Sequence, residues 1–214
     1  GGRGGTNVPM PCVIADVNID TLAAEGDFEL VIEKAVTAAI RSDEGTGANV
    51  VCVRGGSGGQ LYNASLIAKR IVLAELEERR RERKAKANVD NDDDSDSEDG
   101  VTENVLLLVG DDAGAAAAVG ADGALLSADG VPVVVARRLL GDEGTNVVGR
   151  RCRTREACLE AIEDGADIVV LDDDAEAGMP TAFDAETVRE VCNSTTVPVV
   201  VRVSTGADDT LGAD

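Results

Sequence analysis

A short apolar run, a loop and a stretch of helical spacing follow one another repeatedly along this chain, and that rhythm limits its fold more than any other feature. The apolar runs are 12–16, 49–53, 104–109, 123–126, 146–149, 167–171 and 197–203. Helices are expected between them at 27–41, 60–86, 112–119, 132–140, 154–164 and 184–192. Asp27 and Thr154 stand where N-caps belong, and Pro132 stands near a first helical position. The runs are continuous rather than alternating, which is how strands read when helices cover both of their faces. Parallel strands with right-handed helical crossovers meet that demand. An open doubly wound sheet and a barrel share the pattern, and periodicity does not choose between them. Seven strands in 214 residues would be most of an eight-unit barrel, the last β/α unit lying beyond the fragment.

The core must come from Val, Leu, Ile and Ala, because the only aromatic residues are Phe28, Phe183 and Tyr62. One segment breaks the rhythm. The helix around 60–86 ends in a basic run, and 90–99 reads DNDDDSDSED, which can bury nothing. A disordered acidic insertion is expected at about 87–101, with Ser95 and Ser97 set among acids as an acidophilic kinase would need. The glycine-rich opening, 1–11, reads as a linker ahead of a domain over 12–214, so a piece of a longer protein is expected.

Charge and residue usage exclude several functions. With 41 acidic against 20 basic residues the formal net charge is −21, a field that repels nucleic acid and anionic lipid. Histidine is absent, which removes the commonest general base and the hydrolase triads built on it. Five cysteines without a C-x-x-C pair read as free thiols, mostly of the core, in a reducing compartment. No apolar run is long enough to span a membrane. The expectation is thus a soluble intracellular chain with no nucleic-acid partner and no direct membrane contact.

The residues from 104 to 171 carry a resemblance. LLLVGDDAGAAAAVGADGALLSADGVPVVVARRLLG resembles a family run of apolar residues, then N-D, A-D-G-V-H-L-G and D-L-P. NVVGRRCRTREACLEAIEDGADIVVL resembles I-I-G-x-S-x-H-[ST]-x-E-E-A with its later G-A-D, and VVCVRGG resembles a V-Q-L-R-x-K strand. These are motifs of the thiamine phosphate synthase/TenI family. The resemblance implies a TIM barrel rather than an open sheet. It also implies a site that, in active members, joins a pyrimidine diphosphate to a thiazole phosphate with Mg²⁺, using two carboxylates for the metal and several cations for the diphosphate.

Carried over position by position, that set is depleted. Arg54 matches the arginine of Q-x-R-x-K, while Cys52 and Gly56 replace the glutamine and the lysine. Asp111 matches the metal aspartate of N-D, with Gly110 in place of the asparagine. The second metal aspartate falls at Gly130, beside Asp129. Arg151 stands where the family has serine, and Leu125 where it has histidine. The segment DDDAEAGMPTAF lacks the lysine that the family carries after the sixth strand. Removing one preorganised donor costs about 3–4 kcal/mol of transition-state stabilisation, so a site lacking several retains little catalysis.

A second resemblance has the same departures. GGSGGQLYNAS and AVGADGALLSADGVPVVVAR resemble elements of the degenerate TenI-like domain of chloroplast fuzzy-onion-like proteins, dynamin-family GTPases that remodel membranes. It implies a non-catalytic module in a plastid, in contact with other domains of its own chain or with protein partners. No G-x-x-x-x-G-K-[ST] motif occurs here. The alternative is a divergent thiamine phosphate synthase. A further alternative is a regulatory barrel that binds a phosphorylated small molecule without turning it over. An inactive barrel would need no cofactor and an active one would need Mg²⁺. The candidate phosphate-binding residues are Arg54, Gly55, Gly56, Gly58, Gly59 and Arg151, and the candidate metal ligands are Asp111 and Asp129. The plainer readings are a flexible loop for the glycines and a surface or ion-paired position for each arginine, while Asp112, which could join Asp111 on a metal, reads equally as a helix cap. Asp172–Asp174 reads either as a second acidic site or as a solvated loop.

Overall fold

The structure is a computed structural model, and it describes residues 8, 12–22, 26–41, 47–87, 105–141, 146–172 and 183–201. The expected linker, the acidic insertion with Ser95 and Ser97, and Asp173 and Asp174 lie outside the described residues, apart from Val8 and Ala87. Seven strands form one wholly parallel sheet in sequential order. They are β1 (Ile14–Asn18), β2 (Val50–Arg54), β3 (Leu106–Gly110), β4 (Gly123–Leu126), β5 (Val147–Cys152), β6 (Ile168–Leu171) and β7 (Val199–Val201). The helices are α1 (Ile19–Leu22), α2 (Phe28–Ile40), α3 (Gly58–Ala87), α4 (Ala113–Val119), α5 (Val133–Leu140), α6 (Arg155–Glu163) and α7 (Ala185–Asn193).

Strands β2 to β6 bury both faces, as the continuous apolar runs require, whereas β1 and β7 are only partly buried, and the two faces feed different clusters. Val51, Val53, Leu107, Val109, Val148 and Val169 pack outward against the helices. Val50, Cys52, Leu108, Leu125, Val147, Ile168 and Val170 converge on an inner cluster that Ile14 and Val200 also join. First and last strands sharing one inner cluster means the sheet curls round a common axis. Among the described residues the architecture is a TIM-type barrel with seven strands, and the open sheet is excluded. Tight curling needs a small residue where neighbouring strands come closest. At Gly123 a Cβ would stand 1.8 Å from the Val147 carbonyl oxygen, so no other residue fits there.

Four helices open on side-chain caps: Asp27, Asp112, Thr154 and Asp184 each accept a backbone N–H of the first turn. Pro132 is a correction, because it occupies the N-cap of α5 rather than its first helical position and makes no side-chain bond there. The single turn α1 was not expected, and β1 lies two residues later than the apolar run suggested. Among the described residues no helix is long and apolar enough to cross a membrane.

Candidate functional site

Strand alternation decides what reaches the barrel mouth. The side chains that follow the inner apolar layer by two residues point along the same face toward the C-terminal strand ends. Asp16 follows Ile14 on β1, Arg54 follows Cys52 on β2, Arg151 lies two beyond Gly149 on β5, and Asp172 two beyond Val170 on β6. In (β/α) barrels the site is built at this end.

These four side chains meet. Arg151 Nη2 donates to Asp16 Oδ1 at 2.6 Å, bridging β5 to β1 through the interior. Its Nη1 lies 3.5 Å from Asp172 Oδ2. Arg54 Nε stands 3.5 Å from Asp16 Oδ2. Arg151 and Asp172 are buried, at 5 % and 4 % exposure, whereas about a quarter of the Asp16 and Arg54 side chains is exposed. The Arg54 contact is a loose ion pair and no more, since its enclosed Nε has no hydrogen-bond partner. Burial opposes the charge on Arg151, but the fields of Asp16 and Asp172 outweigh it and push its pKa up. Cys52 lies beneath the cluster, fully buried, and burial followed by the charge of Asp16 pushes its thiol up to about 12.

The glycine loop after β2 continues the same rim. Gly55 and Gly56 have φ of +81° and +72°, a left-handed conformation that glycine alone adopts without strain. The Gly56 N–H donates to Asp20 Oδ1 at 3.0 Å, and a Cβ on Gly55 would stand 2.4 Å from Asp20 Oδ2. Ser57 and Gln60 close the helix start: the Ser57 N–H donates to Gln60 Oε1 at 2.9 Å. Gly58 and Gly59 form the first positions of α3 with open space where a side chain would go.

The two candidate metal ligands are spread along the rim. Asp111, exposed and held at φ +65°, donates its N–H to the Leu125 carbonyl at 3.1 Å. Its neighbour Asp112 is engaged as the α4 cap. Asp129 is 81 % exposed and accepts from Arg153 at 2.8 Å. Among the described residues no three carboxylate, thiol or imidazole groups converge as metal ligands would. The Asp129 loop is pinned by Arg150, which donates to the Ala128 carbonyl at 2.6 Å and to the Val131 carbonyl at 2.6 Å.

Sequence reasoning thus found Arg54, the glycine loop, Arg151 and Asp172, which the fold brings to one rim, and missed Asp16 and Asp20. For Asp172 the solvated-loop reading is corrected, because the residue is buried against Arg151. Asp16 could have been found by carrying the two-residue period of β1 beyond Ile14. Asp20 had no comparable signal, because it acts from a helical turn that the sequence did not announce.

Comparison with known proteins supplies the rest. Residues 100–202 match the family described as thiamine monophosphate synthase. A thiamine-phosphate synthase of Chlorobium phaeovibrioides is 44% identical over 66 residues, which are 31% of this chain and 31% of that protein. One from Salinispora arenicola is 35% identical over 97 residues, covering 44% of this chain and 46% of the relative. The matched stretches therefore span about a third to a half of these relatives' length. A thiamine phosphate pyrophosphorylase from Pyrococcus furiosus superposes with a TM-score of 0.56 at 19% identity, covering 89% of this chain and 74% of that one, a likeness of fold. Over residues 100–202 this chain is thus similar in sequence to the thiamine monophosphate synthase family, and its described residues carry that likeness on a TIM-type barrel.

Proposed function

We propose that this domain is a thiamine phosphate synthase-like barrel that does not couple thiazole phosphate to the pyrimidine, and that acts through protein contacts. In the finer form that the sequence resemblance suggests, it is a module of a plastid membrane-remodelling GTPase. The observation that carries the reading is Arg151. A buried guanidinium stands where active members have a serine, and it is bound to Asp16 and Asp172 across the site. A diphosphate entering this mouth would meet cations already neutralised, beneath a net charge of −21.

Chemistry of the coupling kind needs charge stabilisation aimed at the departing pyrophosphate. Asp111 and Asp129 would be the residues to hold Mg²⁺, which would supply that stabilisation as a Lewis acid. The residues present fit this poorly, because Asp129 faces solvent and pairs with Arg153. No step is therefore assigned to a metal. The fold would serve instead as a rigid body that sets the spacing of whatever is attached to it.

A second reading, a divergent thiamine phosphate synthase, draws on a separate observation: curated relatives are themselves named thiamine-phosphate synthases, the Chlorobium protein at 44% identity over its 66 aligned residues. The comparisons favour this second reading, and the side-chain arrangement favours the first. Calorimetric titration with thiazole phosphate, pyrophosphate and Mg²⁺ separates them. The first reading expects no micromolar binding. Micromolar binding that disappears in Arg54→Ala or Asp111→Ala overturns it.

A further inference from the structure

The donors at the barrel mouth are those that recognise phosphate: two guanidinia and the N–H of a left-handed glycine turn at a helix start. Each is met by a carboxylate of this same chain. Asp16 lies 2.6 Å from Arg151 and 3.5 Å from Arg54, and Asp20 accepts from Gly56 at 3.0 Å. Asp16 lies on β1 and Asp20 on α1, so one stretch of chain supplies an acid to each of the three donors, while Asp172 beyond β6 gives Arg151 a second partner.

We infer that Asp16 is an internal competitor, an autoinhibitory carboxylate that occupies a latent phosphate or diphosphate site between Arg54 and Arg151. The inference rests on the reading of the mouth as inactive and gives it a cause. The fit of Asp16 is uneven: it hydrogen-bonds Arg151, yet leaves the enclosed Arg54 Nε without a hydrogen bond. A carboxylate has two oxygens in one plane, whereas a phosphate has them on every side and can serve two guanidinia at once. A tethered group also competes at high effective concentration. Were Asp16 seated in about 99 of 100 molecules, an outside anion would bind about a hundredfold more weakly than to the open site.

Asp16→Asn removes the competing charge and keeps the shape. Inorganic pyrophosphate and inorganic phosphate, without metal, are titrated into wild-type protein, into Asp16→Asn and into Asp16→Asn/Arg54→Met by calorimetry, with thermal melting alongside. Pyrophosphate should bind Asp16→Asn at least tenfold more tightly than wild type and raise its melting temperature by several degrees, and the gain should vanish in the double variant. Equal affinity in wild type and in a folded Asp16→Asn overturns the inference, as does a gain that survives Arg54→Met. If Asp16→Asn does not fold alone, refolding in pyrophosphate decides: recovery supports the competitor and failure overturns it. Tight binding by the wild type would instead count against the non-catalytic reading, so the two ideas fail separately.

Discussion

Arg151 is the residue on which the mouth turns. Its charge is tolerated at 5 % exposure because Asp16 and Asp172 surround it, and breaking such a set by removing one partner leaves buried charge uncompensated. Arg151→Met should cost about 3 kcal/mol in urea unfolding, and adding Asp16→Asn and Asp172→Asn should restore much of it. Cys52 gives a second test. Its thiol titrates near 9 in an unfolded chain and is pushed up to about 12 by burial in the fold. A raised folded value means the fold prefers the protonated thiol. Its contribution to stability is complete below pH 9 and is lost as pH rises from 9 toward 12. Cys52→Ala should flatten the alkaline decline in melting temperature, at some cost in stability at neutral pH. Iodoacetamide at pH 8 should label exposed Cys192 in the native protein, but Cys52, Cys152 and Cys158 only in denaturant.

At the scale of elements, local chemistry was legible wherever the deciding partner is near in sequence. Thr154 caps α6 by accepting the Ala157 N–H at 3.2 Å, and its hydroxyl announced the helix. Thr154→Ala should cost about 1 kcal/mol, measured by chemical denaturation. Gly123→Ala should be far worse: the added methyl meets the Val147 carbonyl in the β4–β5 pairing, and the expected outcome is loss of folded protein in the soluble fraction. Non-local pairing hid the rest. The sequence reading ended β5 at 149, where Arg150 and Arg151 begin, yet the strand continues to Cys152. Its charged inner residue is met by Asp16, 135 positions away, and no window on the sequence contains both. The end of β1 was set too early for the same reason, since Asp16 looks like the end of a strand until its partners are known.

For the whole molecule, the continuous apolar runs foretold the parallel sheet. The choice of a barrel over an open sheet came from motif resemblance, because periodicity is the same in both. Curling is visible only in the structure, where Ile14 and Val200 share the inner cluster. The candidate site was half legible: the arginines, the glycines and Asp172 could be named, while Asp16 and Asp20, which answer Arg151, Arg54 and Gly56, could not. That missing half separates an open phosphate site from an occupied one, and it underlies the account offered for this barrel. The most direct test is a coupling assay with thiazole phosphate, pyrimidine diphosphate and Mg²⁺, following thiamine phosphate at high protein concentration. The account predicts no product above the protein-free control. Turnover that falls at least tenfold in Arg54→Ala would contradict it, and would make this chain a working synthase despite the arginine in its mouth.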